Sequence, residues 1–232
     1  MQFQKQIVYL KKNGYAITRC SEYFSPHQTI SMPPAVLFTF DDAFSCFYDQ
    51  ALPVLLTNGM TATVFVITKY IGKVSRWDYY RSSKSCHQLS WSQLRELAVN
   101  GCEIGSHSHS HIDLKSAGPL QLKKEMEYSK SLLEDKLGIQ VRFFSYPFGR
   151  FNQATMQACR EAGYQAAFTM NPTAQIYQSF ALPRQAVYLF DSLPQFKLKL
   201  KTNPPSRFEC AKLTVINFCS LGTIIVKKFS SG

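Results

Sequence analysis

Two adjacent carboxylates, Asp41 and Asp42, stand where an apolar run, Ala35 to Phe40, stops. The run is β-branched and aromatic, carries no charge and follows Pro33-Pro34, so it reads as a short buried strand. In a parallel α/β sheet, acids at the end of such a strand lie on the C-terminal rim, where these folds keep their chemistry. Two like charges so close need a cation nearby, or one of them must exchange protons as its task. A second cluster supplies partners: Gly105-Ser-His-Ser-His-Ser-His111 holds three of the five histidines in the chain. His107 and His111 are four apart and can face one point from a single helical turn or a tight loop. Cys102 to Gly105 reads as another short strand, which places this cluster on the same rim. Asp42, His107 and His111 form a two-histidine, one-carboxylate set that leaves open positions on a metal. His109 should point away from the other two, toward solvent or a supporting contact.

A third segment, Val141-Arg-Phe-Phe-Ser-Tyr-Pro-Phe-Gly149, is again strand-like and ends in a Pro-x-Gly turn. Arg142 stands at the beginning of that strand, with five donors suited to clamping a carboxylate such as Asp41. The backbone N–H of Phe148, after Pro147, is available as an oxyanion donor.

Thr39-Phe-Asp-Asp42, His107-Ser-x-x-His111 and Arg142-x-x-x-Tyr-Pro-Phe-Gly149, in this order, resemble the first three motifs of the polysaccharide deacetylase family (NodB-homology domain, carbohydrate esterase family 4). The resemblance runs from about Phe3 to Leu200 and includes Tyr9 to Tyr15, Ala51 to Leu55, Leu89 to Leu94, Glu161 to Tyr164 and Leu182-Pro-Arg184. Within the family the chain looks nearest the branch of poly-N-acetylglucosamine deacetylases. The resemblance implies a distorted (β/α)7 barrel and removal of N-acetyl groups from N-acetylglucosamine-containing polysaccharide. It implies Asp41 as general base, Asp42, His107 and His111 as ligands of a divalent metal, usually zinc, and Arg142 as the group that orients Asp41. Phe148 would supply the oxyanion donor, with Tyr146 and Pro147 at the sugar site; in the loop Lys69–Leu89 the aromatic run Arg76 to Arg81 offers Trp77 either as a wall for a pyranose ring or as a hydrophobic plug under the loop. Two family features are missing: no histidine follows His111 to act as general acid, and no Asp-x-Asp-Trp-like segment follows Gly149. Asp41 returning its proton, or bulk water, is left to serve as acid.

The elements that must carry these groups are visible in outline. Strands are expected at Val36–Phe40, Thr61–Ile67, Cys102–Gly105, Arg142–Ser145, Gln165–Phe168 and Ala186–Leu189. Helices are expected at Cys46–Asn58, Trp91–Asn100, Leu120–Leu137 and Asn152–Ala162, with Gly59, Gly101, Gly138 and Gly163 placed as C-terminal caps. Repeated strand–helix units predict a parallel sheet or barrel. The 232 residues and 45% hydrophobic content suit one catalytic domain, residues 1–200, followed by a tail, 201–232, of unknown structure. The tail's apolar run, Thr214 to Val226, is too short to span a bilayer.

The net charge of +11 asks for an anionic partner or serves solubility. Basic residues are spread rather than striped and no nucleic-acid motif is present, so a cell-envelope glycan is favoured over nucleic acid. The seven cysteines lack Cys-x-x-Cys spacing, and most read as buried free thiols, with Cys46 assigned to core packing. Met1 to Asn13 reads as an amphipathic helix rather than a signal peptide. The family is usually found in the cell envelope or outside the cell, and its domains usually begin earlier, so the chain reads as N-terminally short. Two competing functions share the same residues. A glycan-binding module that lost turnover would tolerate loss of Asp41, which this chain keeps. An iron oxygenase needs no base beside its ligand.

Overall fold

The computed structural model of the chain describes residues 2–25, 34–74, 87–170, 179–188 and 190–201. Its strands are β1 (Ala16–Thr18), β2 (Ala35–Leu37), β3 (Thr39–Phe40), β4 (Thr63–Val66), β5 (Glu103–Ser106), β6 (Phe143–Ser145), β7 (Ala166–Thr169) and β8 (Leu182–Pro183). β1 pairs with β2, and β3 to β8 lie side by side in chain order. Every ladder between these strands is parallel. Only Phe38 separates β2 from β3, and its carbonyl still accepts from Thr63 N at 2.9 Å. The two are therefore one interrupted strand, which gives the seven strand positions of a distorted (β/α)7 barrel. Among the described residues no ladder joins β8 back to β1.

Parallel neighbours need helical crossovers. α3 (Leu52–Thr57) returns the chain from β3 to β4, α4 (Trp91–Val99) from β4 to β5, and α7 (Gln153–Glu161) from β6 to β7. The predicted long helix before β6 is three pieces: α5 (Pro119–Lys123), a π turn (Lys124–Tyr128) and α6 (Ser129–Leu137). Starts are fixed by capping boxes, Ser90 with Gln93 in α4 and Asn152 with Thr155 in α7. α1 (Gln2–Lys12), the single-turn α2 (Cys20–Tyr23) and α8 (Leu193–Lys201) complete the set.

The core has two layers, because successive strand residues point to opposite faces. Outward-facing Val64, Val66, Ile104, Phe144 and Ala167 pack with Leu94, Leu97, Met126 and Leu133 of the helices. Inward-facing Phe65, Phe143 and Phe168 fill the barrel together with Cys20 and Phe24. The Phe65 and Phe168 ring centroids are 5.6 Å apart. Gly105 on β5 makes room for this plug, since a Cβ there would lie 2.5 Å from the Phe65 ring.

Three expectations change. The last strand among the described residues is Leu182–Pro183, not Ala186–Leu189; residues 184–188 lie in no strand and Leu189 lies outside the described residues. The ladder ends there because the following residues are claimed by α8. Gln185 donates to the Lys199 carbonyl at 3.0 Å, and Lys199 Nζ donates to the Ala186 carbonyl at 2.5 Å. Lys199 also pairs with Asp191 at 2.5 Å, both buried. α8 itself, like β1 and α2, was not anticipated. Cys20, Cys102 and Cys159 are buried free thiols as expected, but Cys46 is exposed; Cys86, Cys210 and Cys219 lie outside the described residues. Burial pushes the Cys20 thiol up to about 12. No described helix is long and apolar enough to cross a membrane.

Candidate active site

Among the described residues, five other than glycine adopt left-handed backbone: Asp42 (φ 70°), Ala43 (φ 52°), Ser108 (φ 67°), His111 (φ 54°) and Phe148 (φ 59°). All lie just past the C-terminal ends of β3, β5 and β6. Such conformations cost of order 1–3 kcal/mol each and persist where surroundings over-determine them, commonly at functional sites. Here they turn Asp42, His107 and His111 toward one point.

His107 Nε2 lies 3.5 Å from Asp42 Oδ1, and His111 Nε2 lies 3.6 Å from the same oxygen. One ligand atom from each of the three lies within 4.8 Å of the others. Ligands about 2.1 Å from a tetrahedral zinc stand about 3.4 Å apart, close to both measured edges. Both histidines are buried. His107 Nδ1 is 2.7 Å from the Ser145 carbonyl, which can only accept, so Nδ1 carries the proton. That leaves the Nε2 lone pair facing Asp42, the tautomer that a metal ligand requires. The donor set therefore fits a divalent cation.

Asp41, next in the chain, has a different partner. Arg184 grips it with both ends, Nη1 to Oδ1 at 2.8 Å and Nη2 to Oδ2 at 2.7 Å. The same guanidinium donates to Thr39 Oγ1 at 2.9 Å and Ser145 Oγ at 2.7 Å. It rests on the aromatic plug, 5.5 Å from the Phe65 centroid and 5.8 Å from that of Phe168. Ser145 Oγ donates to Asp41 Oδ2 at 3.3 Å. Burial would raise the Asp41 carboxyl, but the Arg184 charge, His107 and these hydrogen bonds outweigh it and bring it to about 2.

Arg142 does not make this clamp. It precedes β6 and so belongs to the opposite end of the sheet from Asp41, and its buried Nε has no hydrogen-bond partner among the described residues. The arginine that serves is Arg184, immediately after β8. Ser145 was also missed, although it links the halves of the site: its carbonyl holds His107 and its hydroxyl holds Asp41. The signal available for Arg184 was the family resemblance of Leu182-Pro-Arg184; that a strand ends there is seen only in the structure.

The remaining candidates divide. The Phe148 ring lies 4.6 Å from His111, which puts its residue at the rim. Tyr146 is fully buried, stacked 5.4 Å from Phe151, and its hydroxyl donates to the Phe180 carbonyl at 3.0 Å. It is a core residue, not a sugar wall. Pro147 is buried too and serves the turn. Trp77 lies outside the described residues. His109 turns away as expected, to Thr68 Oγ1 at 2.9 Å and edge-on to Tyr128.

Known proteins resemble this chain in sequence and in fold. A family model described as polysaccharide deacetylase matches residues 30–167. YxkH of Bacillus subtilis, named for the same family, is 35% identical over 176 residues, 75% of this chain and 58% of that protein. The poly-beta-1,6-N-acetyl-D-glucosamine N-deacetylase of Staphylococcus epidermidis is 27% identical over 183 residues, 75% of this chain and 61% of that protein. The chain thus spans about three-fifths of the length of these relatives. Among solved structures, Streptococcus pyogenes deacetylase PplD superposes with a TM-score of 0.73 at 24% identity, covering 87% of this chain and 86% of that one. IcaB from Ammonifex degensii gives 0.72 at 23% identity, covering 86% and 88%. These two share the fold. With more than half of its length matched by the family model, and with Asp41, Asp42, His107 and His111 of that stretch on one rim, the chain belongs to the polysaccharide deacetylase family.

Proposed function

We propose that the chain is a metal-dependent hydrolase that removes N-acetyl groups from polysaccharide containing N-acetylglucosamine. The reading is carried by one observation: a two-histidine, one-carboxylate set stands beside a second carboxylate that is held ionised by its own arginine. Asp42, His107 and His111 would hold the metal, and zinc suits their donors. When bound, zinc lowers the pKa of its water toward about 7 and polarises a carbonyl oxygen. Asp41 accepts the proton of the attacking water. A carboxylate held near 2 keeps a proton poorly, so Asp41 passes it to the departing amine, which fits a chain with no histidine after His111. The backbone N–H of Phe148 donates to the oxygen that becomes negative as the amide carbon turns tetrahedral.

The test is acetate release from β-1,4 and β-1,6 N-acetylglucosamine oligomers and from peptidoglycan, with zinc and after chelation. Zinc-dependent release from at least one of them is expected. A folded, zinc-loaded chain that binds the oligomers and releases no acetate would replace the hydrolase by a glycan-binding module.

A further inference from the structure

Glu125 is an acid in the middle of a helical stretch, yet only 4% of it is exposed. It lies in the π turn Lys124–Tyr128, a widened helical turn of the kind often found at functional sites. Its carboxylate reaches across to Ser110, the residue directly before His111. The Ser110 backbone N–H donates to Oε2 at 2.8 Å, and the Ser110 hydroxyl donates to Oε1. The same π turn anchors the other side of the loop. The Met126 carbonyl accepts from Ser129 Oγ and from the Tyr164 hydroxyl, each at 3.0 Å. Ser129 Oγ is 2.8 Å from Ser106 Oγ, which in turn accepts from Ser108 N at 3.3 Å. Ser108 Oγ then accepts from His111 N at 3.0 Å. Each serine of the segment 105–111 thus has a stated task, and two of the three chains of contacts end on the π turn.

We infer that Glu125 is a positioning residue for the metal ligands, holding Ser110 so that His111 keeps its left-handed backbone and its aim at Asp42 before any divalent cation arrives. The inference rests on the reading of Asp42, His107 and His111 as ligands. It assigns the π turn a purpose: the helix is widened where its side chains and carbonyls must meet the ligand loop. Gln at this position keeps the size but offers one acceptor oxygen and a donor pair, so one of the two Ser110 donors faces an N–H instead of an oxygen.

The experiment is a zinc titration of the purified, metal-free chain against a chromophoric chelator, with a thermal melt of each metal-free protein. Glu125→Gln should bind zinc roughly 10- to 100-fold more weakly than the parent. Ser110→Ala, which keeps its backbone donor, should lose roughly 3- to 10-fold. The double variant should be no weaker than Glu125→Gln alone, because both act through one contact. Glu134→Gln is the control: Glu134 caps Val141 N and pairs with Lys130 on the same helical stretch. It should lower the melting temperature and leave zinc affinity unchanged. Parental affinity in folded Glu125→Gln overturns the inference. If that variant does not fold, parental affinity in Ser110→Ala overturns it. A parent chain that takes up no zinc overturns the ligand assignment and this inference with it, whereas a parent that binds while Glu125→Gln also binds equally well removes the inference alone.

Discussion

The two ends of the barrel make left-handed turns by different means. At the lower end, where helices hand over to strands, Gly14, Gly59, Gly101, Gly138 and Gly163 all have φ between 66° and 81°. Glycine adopts this backbone without steric cost. At the upper end Gly72 and Gly149 share this region of φ with five residues that carry side chains, Asp42, Ala43, Ser108, His111 and Phe148. The lower turns only have to reverse the chain. The upper ones must deliver side chains, so the strain is kept and the surroundings hold it, through the serine contacts of the ligand loop and the close packing around Ala43. Strain in this molecule marks where a side chain is needed.

The largest effects should come from removing what the upper turns deliver. Asp42→Ala, His107→Ala or His111→Ala should abolish zinc binding and acetate release together, measured by metal analysis after dialysis and by acetate assay. Full zinc occupancy in His111→Ala would break the contrast, because that strained backbone would then serve nothing. Next is Asp41→Asn, which keeps shape but accepts no proton at neutral pH. Turnover should fall by roughly 10²–10⁴ with zinc retained. Loss of metal instead would mean that the roles of the two aspartates are exchanged.

Arg184→Gln should be intermediate, with turnover down by roughly 10- to 100-fold, the range for a group that acts by orienting and charging another. Arg142→Ala should leave turnover near the parent's, and a large loss there would restore the arginine favoured by sequence alone. The same pair has a pH signature in the metal-free chain. Arg184 and its neighbours hold Asp41 at about 2, below the usual 3.8. The stability this contributes is fully present above about pH 4 and is lost as pH falls through 2. Acid titration of unfolding should show that loss in the parent and a smaller one in Arg184→Gln.

The smallest effects compare the turns directly. Gly138→Ala meets no atom within 4 Å, so only its φ of +69° resists. It should destabilise by about 1 kcal/mol in urea melts. Ala43→Gly relieves the same backbone at the upper end but loses a methyl that is 1% exposed. The two terms nearly cancel, and stability should stay within about 0.5 kcal/mol of the parent.

Sequence patterns gave the strand–helix alternation because each crossover carries its own start and stop signals, such as Ser90 with Gln93 or Gly138 after α6. They gave Asp41, Asp42, His107 and His111 because each pair is local, and a local pair shows its spacing. Arg184 escaped because nothing local ties it to Asp41, and because the expected last strand, Ala186–Leu189, set it before a strand's start; strand direction spoke only against Arg142. An arginine at a strand's start, as Arg142 is, belongs to the lower end of a parallel sheet, and one at a strand's finish belongs to the upper. Glu125 escaped for a related reason: a lone acid on a helix looks solvated until the loop it holds is placed against it. Tyr146 was misjudged because an aromatic beside a turn motif reads the same whether it faces a sugar or the core.

The clamp on Asp41 joins residues 143 positions apart, and this sets an order of events during synthesis. The last of the proposed metal ligands, His111, is made 73 residues before Arg184. At 5–20 residues per second that interval is roughly 4–15 s. Throughout it, the nascent chain carries the whole ligand set and both aspartates, but not the cation that later holds Asp41. A chain released in this interval would carry Asp42, His107 and His111, the proposed ligands, and lack Arg184, so the proposed site is complete only once synthesis has passed residue 184.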